Sequence, residues 1–168
     1  MPGLRDARER IVREHMASED RKDFDATLRT FSRPRYEVVA TGEVHDGPGA
    51  VAAFLEESGV AFPDFRFDTP TLHHADDAVI VEVVFRGTHG GAWRGLPATG
   101  RAVRYAMSNV FVFEEDRLVC ERLYFDLATI LRQVGIARDP TTTAGRVATF
   151  VNHPIVVGGA LLRGALRR

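Results

Sequence analysis

The sequence predicts an α+β domain in which helices come first and an antiparallel sheet follows. Two observations carry this prediction. Apolar residues near the N-terminus recur every three or four positions, and β-branched and aromatic runs fill the second half. A chain of 168 residues with 45% hydrophobic and 27% charged residues is long and apolar enough for one compact core. We therefore expect a single globular domain.

The first half of the chain is predicted to hold three helices and a short strand. The helices are Leu4 to Met16, Phe24 to Phe31 and Ala50 to Leu55, and the strand is Tyr36 to Ala40. Asp23 is placed to cap the second helix, and Pro34 ends it because the residue before a proline avoids the helical conformation. Strand and turn signals from Thr41 to Pro48 lead into the third helix.

The second half is predicted to form an antiparallel meander closed by one more helix. The strands are Phe65 to Leu72, Val79 to Phe85, Val103 to Phe113 and Leu118 to Phe125. The connection Gly87 to Gly100 is long enough to carry function. Leu127 to Val134 reads as the closing helix, and Gly135 after it is typical of a helix C-cap.

Residues 136–168 are predicted to be a helical extension of a core that spans residues 1–135. Asp139 is its only acidic residue, against five arginines. We expect this arm to pack across its own sheet or onto a second subunit. Contact of its basic end with a membrane surface is the weaker alternative, because Gly158 and Gly159 weaken a membrane helix.

Charge and cysteine content exclude several classes of function. The chain has 22 basic and 23 acidic residues, so no overall field favours nucleic acid as a partner. Its single cysteine, Cys120, permits neither an internal disulfide nor a cysteine-based zinc site. The first residues lack the apolar run of a secretory signal, and we expect a cytoplasmic protein.

Several motifs occur in an order that resembles one known family. They are Gly87 to Gly91, Gly95 to Arg101, Arg117 to Glu121 followed by Phe125-Asp126, and Leu131 to Gly135. Together they resemble the SnoaL-like polyketide cyclases of the nuclear-transport-factor-2-like superfamily, over about Leu4 to Gly135. The resemblance implies a cone-shaped barrel, in which a curved antiparallel sheet wraps around the N-terminal helices and opens to a small apolar ligand. It implies no cofactor and no metal.

The resemblance also sets the expected function and its alternative. It implies a cyclase or isomerase acting by acid/base catalysis on a hydrophobic carbonyl or ester compound. Some relatives only bind partners, so a non-catalytic small-molecule-binding or protein-interaction role stays open. We expect a homodimer through the outer sheet face near Glu82, Arg104, Ser108 and Arg122, three of which read as a cross-strand charge ladder.

Asp126 and His89 are the candidate catalytic residues. In the family that the chain resembles, an aspartate near the end of the last strand is the general acid/base, and Asp126 takes that position. Asp126 also stands where the N-cap of the next helix belongs, which is the alternative. His89 lies in the glycine-rich connection, where it would hydrogen-bond a substrate or, alternatively, only the nearby backbone.

The candidate substrate-binding residues are Tyr105, Asn109, Trp93, Tyr124 and His15. Tyr105 and Asn109 fall on the odd-numbered face of Val103 to Phe113, which is the bulkier face and is expected to line the pocket. Trp93 would cover the pocket or join a dimer contact. His15 and Glu19, at positions i and i+4, share a helix face and would hold a ligand or form a half-buried pair.

Overall fold

A computed structural model describes residues 3–165 of the protein. The helices are α1 (Leu4–Asp20), α2 (Phe24–Arg29), α3 (Pro48–Ala61), α4 (Leu127–Gln133), α5 (Thr143–Asn152) and α6 (Pro154–Ala165). The strands are β1 (Arg35–Val38), β2 (Glu43–Asp46), β3 (Arg66–His74), β4 (Ala78–Thr88), β5 (Ala102–Glu114) and β6 (Arg117–Phe125). The α+β class predicted from the sequence is confirmed.

The predicted cap residues Asp23 and Gly135 lie at the helix ends where the sequence places them. The side chain of Asp23 accepts a hydrogen bond from the Ala26 amide at the start of α2. Gly135 follows α4 with a φ of +85°, which a side chain would strain. Helix α3 begins at Pro48, where a missing N–H costs nothing, and is longer than its apolar pattern predicts.

The six strands form one sheet in the order β2-β1-β6-β5-β4-β3. All neighbours are antiparallel except β1 and β6, which run parallel. The predicted antiparallel meander from β3 to β6 is confirmed. The sheet is mixed because β1 joins β6 in parallel. Within the described residues the edge strands β2 and β3 do not pair, so the sheet does not close into a barrel.

Helices α1, α3 and α4 cover one face of the sheet. Helix α1 packs on β3, β4 and β6, helix α3 on β1 and β2, and α4 on β5. The inner face of β5 carries its odd-numbered residues, among them the buried Val103, Met107 and Phe111. The predicted orientation of this strand is confirmed.

The outer face holds the predicted charged residues, but they do not form a ladder. Glu82 Oε2 lies 3.4 Å from His73 Nε2, and Arg122 donates a hydrogen bond to Glu37. Arg104 stands opposite Arg86 in the register of β4 and β5. The expected pairing was wrong because the side chains share a face without being direct cross-strand neighbours.

The C-terminal arm consists of α5 and α6, which are joined at His153 and contact each other. Several of its apolar side chains are exposed, including Val151, Ile155 and Val156. Among residues 3–165, no helix combines the length and apolar character needed to cross a membrane. The division at residue 135 stays a prediction.

Candidate functional site

A cavity of about 100 Å³ lies between the helices and the inner face of the sheet. Its walls are mainly aromatic: Phe24, Phe54, Phe62, Phe65, Phe67, Phe85, Trp93, Tyr105 and Phe125 line it. Few polar side chains reach it, among them Glu19, Tyr36 and Asn109. An apolar cavity with a few convergent polar groups is the usual form of a small-molecule site.

The polar end of this cavity is assembled from α1, β1 and β6. His15 and Glu19 are one helical turn apart on the buried face of α1. Tyr36 takes an inward position on β1, and the parallel register of β1 and β6 sets Tyr36 beside Glu121. We call His15, Glu19, Tyr36 and Glu121 the buried acidic cluster.

Short contacts connect the members of the cluster. The Tyr36 hydroxyl donates a hydrogen bond to Glu19 Oε1 over 2.8 Å. His15 Nε2 lies 2.8 Å from the Tyr36 oxygen, 2.9 Å from Glu121 Oε2 and 3.5 Å from Glu19 Oε1. The His15 and Glu121 side chains have no exposed surface, and that of Glu19 is 6% exposed.

Counting protons around His15 assigns a hydrogen to each ring nitrogen. The Thr30 hydroxyl donates its proton to the Thr27 carbonyl, so it accepts from His15 Nδ1, which lies 2.7 Å away. With Glu19 ionised, Tyr36 donates its proton to Glu19, so the Tyr36 oxygen accepts from His15 Nε2. A histidine that donates from both nitrogens is an imidazolium.

The charges around His15 agree with this assignment. Burial lowers the pKa of His15, but the nearby carboxylates of Glu121 and Glu19 outweigh it and raise the pKa to about 10. Burial and the negative charge of Glu19 raise the pKa of Glu121, and the charge of His15 together with the neighbouring Tyr36 hydroxyl offsets this only in part. Burial and both carboxylates also raise the pKa of Tyr36, which stays a neutral hydrogen-bond donor.

His15, Glu19 and Glu121 also have the spacing of a cation site, with ligand atoms within 4.8 Å of one another. A metal ion would need a lone pair on His15. In the hydrogen-bond arrangement above, a metal ion bound at Nε2 would have to displace the proton that His15 donates to Tyr36.

Two further polar groups on the cavity wall lack partners. Asn109 is 1% exposed, and its Oδ1 makes no hydrogen bond within the described residues. Burial alone raises the pKa of Tyr105 far above its usual value, and no hydrogen bond contributes. An unpaired buried polar group costs about 1–3 kcal/mol, which a ligand's polar atoms would offset.

The glycine-rich connection contributes Trp93 to the cavity and holds His89 away from it. Trp93 and Leu96 exchange two backbone hydrogen bonds around a tight turn with positive φ at Arg94 and Gly95. His89 is fully buried behind Trp93 and Phe62, and its Nδ1 contacts Thr99. His89 is not among the cavity-lining residues.

Asp126 lies outside the cavity, at the N-terminus of α4. Its side chain is 59% exposed and accepts hydrogen bonds from the Ala128 amide and the Thr129 hydroxyl. Hydrogen bonds from the Thr129 hydroxyl and from the backbone amides of Thr129 and Ala128 lower the pKa of Asp126. A lowered pKa favours the charged carboxylate, which suits a helix cap better than a general base at neutral pH. Asp126 therefore caps α4 and is not among the cavity-lining residues, and its catalytic role stays a prediction.

Of the five candidate substrate-binding residues, three line the cavity and two do not. Tyr105, Asn109 and Trp93 line the cavity. Tyr124 is on the outer sheet face opposite Ser108 and is 43% exposed, so it cannot reach a ligand inside. His15 lies behind Glu19 and Tyr36 rather than on the wall. It pairs with Glu19 as expected, at 3.5 Å, but the pair is buried rather than half-buried, because β1 and β6 cover both residues.

Comparison with known proteins supports the relationship that the sequence motifs suggest. A family model described as SnoaL-like polyketide cyclase matches residues 9–134. The chain belongs to this family. No curated protein matches the sequence of this SnoaL-like protein.

Solved structures share the fold of this SnoaL-like protein at low sequence identity. A proposed polyketide cyclase from Xanthomonas campestris pv. campestris has a TM-score of 0.72 and 20% identity, covering 79% of this chain and 100% of that one. One from Pseudomonas putida KT2440 has a TM-score of 0.69 and 21% identity, covering 77% and 98%. A ketosteroid isomerase-like fold from Catenulispora acidiphila, in complex with trimethylamine, has a TM-score of 0.64 and 18% identity, covering 75% and 92%.

Sequence reasoning did not single out Glu121 and Tyr36, which the structure places in the buried acidic cluster of this SnoaL-like protein. One signal was available: Glu121 alternates with Leu123 on a predicted strand and so occupies an inward position. An acidic residue in that position needs a buried partner. The partner could not be found from the sequence, because β1 and β6 are far apart in the chain and pair in parallel.

Proposed function

We propose that this protein is a cofactor-free enzyme of the cyclase or isomerase type that removes a proton next to the carbonyl of a hydrophobic compound. One observation carries the proposal: the Glu19 carboxylate lies at the wall of an aromatic cavity, with its Oε1 held by Tyr36. Oε1 is occupied, so Oε2 is the oxygen left to act on a ligand. A carboxylate in such surroundings is suited to general base catalysis.

In the proposed reaction, Glu19 Oε2 takes a proton from the carbon next to the carbonyl. The electron pair of the broken C–H bond forms an enolate, whose oxygen accepts a hydrogen bond from Tyr105 or the Asn109 amide. Return of the proton from Glu19 to a different carbon gives an isomer. Attack of the enolate carbon on a second carbonyl carbon, whose oxygen then takes the proton, gives a ring.

The cavity also favours a class of substrate. Its aromatic walls suit flat, apolar molecules, and Trp93 would pack on them at the loop side. Two carboxylates in the cluster face one histidine, which disfavours an anionic group at the polar end. We therefore propose a neutral hydrophobic ketone or ester as the substrate.

Exchange of carbon-bound protons tests the proposal without the true substrate. The probe is α-tetralone, a neutral aromatic ketone, in D₂O, with loss of the signal of its α-protons followed by NMR. We expect the protein to accelerate exchange and Glu19→Gln to reduce the acceleration about 10²- to 10⁴-fold. Asp126→Asn is the matched control, because it neutralises a carboxylate outside the cavity.

Binding is measured separately through Trp93, the only tryptophan in the chain. Quenching of its fluorescence by α-tetralone reports occupancy of the cavity whether or not exchange occurs. Quenching without any acceleration of exchange would replace catalysis by the alternative function, that of a small-molecule-binding protein. Equal exchange rates for Glu19→Gln and the unmodified protein would remove Glu19 as the base.

A further inference from the structure

Two members of the buried acidic cluster do not line the cavity. His15 and Glu121 are fully buried behind Glu19 and Tyr36, and their Nε2 and Oε2 atoms lie 2.9 Å apart. Burying charged groups is unfavourable unless they are paired, and apolar residues of similar size would pack there without that cost. The pair therefore needs an explanation beyond the packing of the core.

We propose that His15 and Glu121 are positioning residues, a buried ion pair in which the doubly protonated ring of His15 fixes the direction of the Tyr36 hydroxyl and thereby the orientation of Glu19. This inference deepens the proposed function and rests on it for its catalytic consequence. Neither residue touches the substrate. Glu121 acts on His15, His15 on Tyr36, and Tyr36 on Glu19.

The direction of the Tyr36 proton depends on whether His15 Nε2 carries a hydrogen. With that hydrogen present, Nε2 donates it to the Tyr36 oxygen, and Tyr36 donates to Glu19 Oε1. Glu121 then acts on His15 through its charge, because neither of its oxygens forms a hydrogen bond within the described residues. Once it is lost, Nε2 becomes an acceptor 2.8 Å from the Tyr36 oxygen and competes with Glu19 for the Tyr36 proton. Glu19 then loses the hydrogen bond that keeps Oε1 occupied.

The groups that surround His15 show why Glu121 decides its charge. Glu19 from α1, Tyr36 from β1 and Glu121 from β6 are the titratable groups that face the ring. Its other close neighbours include the uncharged rings of Phe31 and Phe111. Glu121 Oε2 is the carboxylate oxygen closest to Nε2, so its negative charge contributes most to holding the proton.

The ion pair also sets the net charge of the cluster before and after Glu19 takes a proton. Two carboxylates face one imidazolium, which leaves an excess negative charge in a buried site. Uptake of a substrate proton by Glu19 moves that excess charge from the cluster to the enolate oxygen, where Tyr105 or the Asn109 amide would donate a hydrogen bond to it.

The first test measures the state of the His15 ring directly by ¹⁵N NMR of the full-length protein. We expect two protonated ring nitrogens at neutral pH, with deprotonation near the pKa of about 10. In Glu121→Gln, which keeps the shape and removes the charge, deprotonation should occur at a lower pH. A neutral His15 ring at neutral pH in the unmodified protein would overturn the proposal.

The second test follows α-tetralone exchange as a function of pH. Exchange should fall on the alkaline side as His15 loses its proton, and Glu121→Gln should move that fall towards neutral pH. His15→Gln cannot carry the charge and should lower kcat at least tenfold with little change in KM. Glu82→Gln, which removes an exposed carboxylate from β4, is the control and should leave the profile unchanged.

The outcomes separate the inference from the proposed function. Exchange that needs Glu19 but keeps the same pH profile in Glu121→Gln would overturn the positioning role and leave the function intact. A charged His15 that depends on Glu121, in a protein without exchange activity, would support the ion pair and remove its catalytic consequence. If His15→Gln fails to fold, Glu121→Gln and the NMR measurement still decide.

Discussion

His15 Nε2 and Glu121 Oε2 lie 2.9 Å apart, and neither side chain has any exposed surface. The protein contains a similar pair at its surface, where His74 Nε2 and Glu9 Oε2 lie 3.3 Å apart with both side chains partly exposed. Solvent screens the surface pair and leaves it with little influence on stability. Because the His15–Glu121 pair is buried, solvent does not screen it, and we expect it to influence the stability of the fold.

Stability should therefore fall as the pH rises from about 6.5 towards 10. The pKa of His15 is raised from 6.5 to about 10 in the folded protein, so the folded state binds the extra proton in this range and the unfolded state does not. Lys22, whose pKa burial lowers to about 8, acts oppositely above that pH, so the range 6.5 to 8 is the clearest.

Urea unfolding at several pH values in that range measures the slope. The same series on Glu121→Gln should give a smaller slope, and Glu82→Gln should match the unmodified protein. A free energy of unfolding that stays constant or increases between pH 6.5 and 8 would contradict the assignment of a charged His15.

Substitution of Asp126 should change stability and not catalysis. Asp126→Ala removes the hydrogen bonds to Ala128 and Thr129 and should lower the Tm by roughly 2–4 °C. Asp126→Asn should keep nearly the full Tm, because asparagine caps a helix about as well. Thermal melts and α-tetralone exchange check both variants, and loss of exchange in a folded Asp126→Asn protein would restore Asp126 as a candidate base.

Removal of residues 136–168 should leave the core folded. Gly135 follows the end of α4. Within the described residues α5 and α6 contact each other, and neither helix contacts the sheet to a comparable extent. We expect an unchanged circular dichroism signature of the sheet, a similar Tm and a change in solubility or oligomeric state. A truncated protein that is unfolded would show that the arm is part of the core.

The outer sheet face should form a homodimer. Ala106 is exposed there, Ser108, Val110 and Val112 are only partly covered, and these residues would be buried by a second copy. Light scattering should give a dimeric mass at micromolar concentration for the unmodified protein and a monomeric mass for Ala106→Glu. The monomeric Ala106→Glu variant should still be folded, with the same Tm. A monomer in the unmodified protein would contradict this interface.

The sequence alone determined the class of fold and most of its elements. Helical and two-residue periodicities, together with local signals such as Asp23 and Gly135, depend on neighbouring residues and can be interpreted without a tertiary structure. The inward face of β5 also followed from alternation, and it correctly brought Tyr105 and Asn109 to the cavity. The motif order was enough to identify the family.

The tertiary structure decided the site. Asp126 combined a family position with a capping position, and only its exposure and hydrogen bonds separated the two. Glu121 and Tyr36 became neighbours through the parallel pairing of β1 and β6, which no local pattern encodes because the two strands are far apart in the chain. The charge of His15 depends on that pairing, since a buried group takes its pKa from the residues that the fold brings beside it.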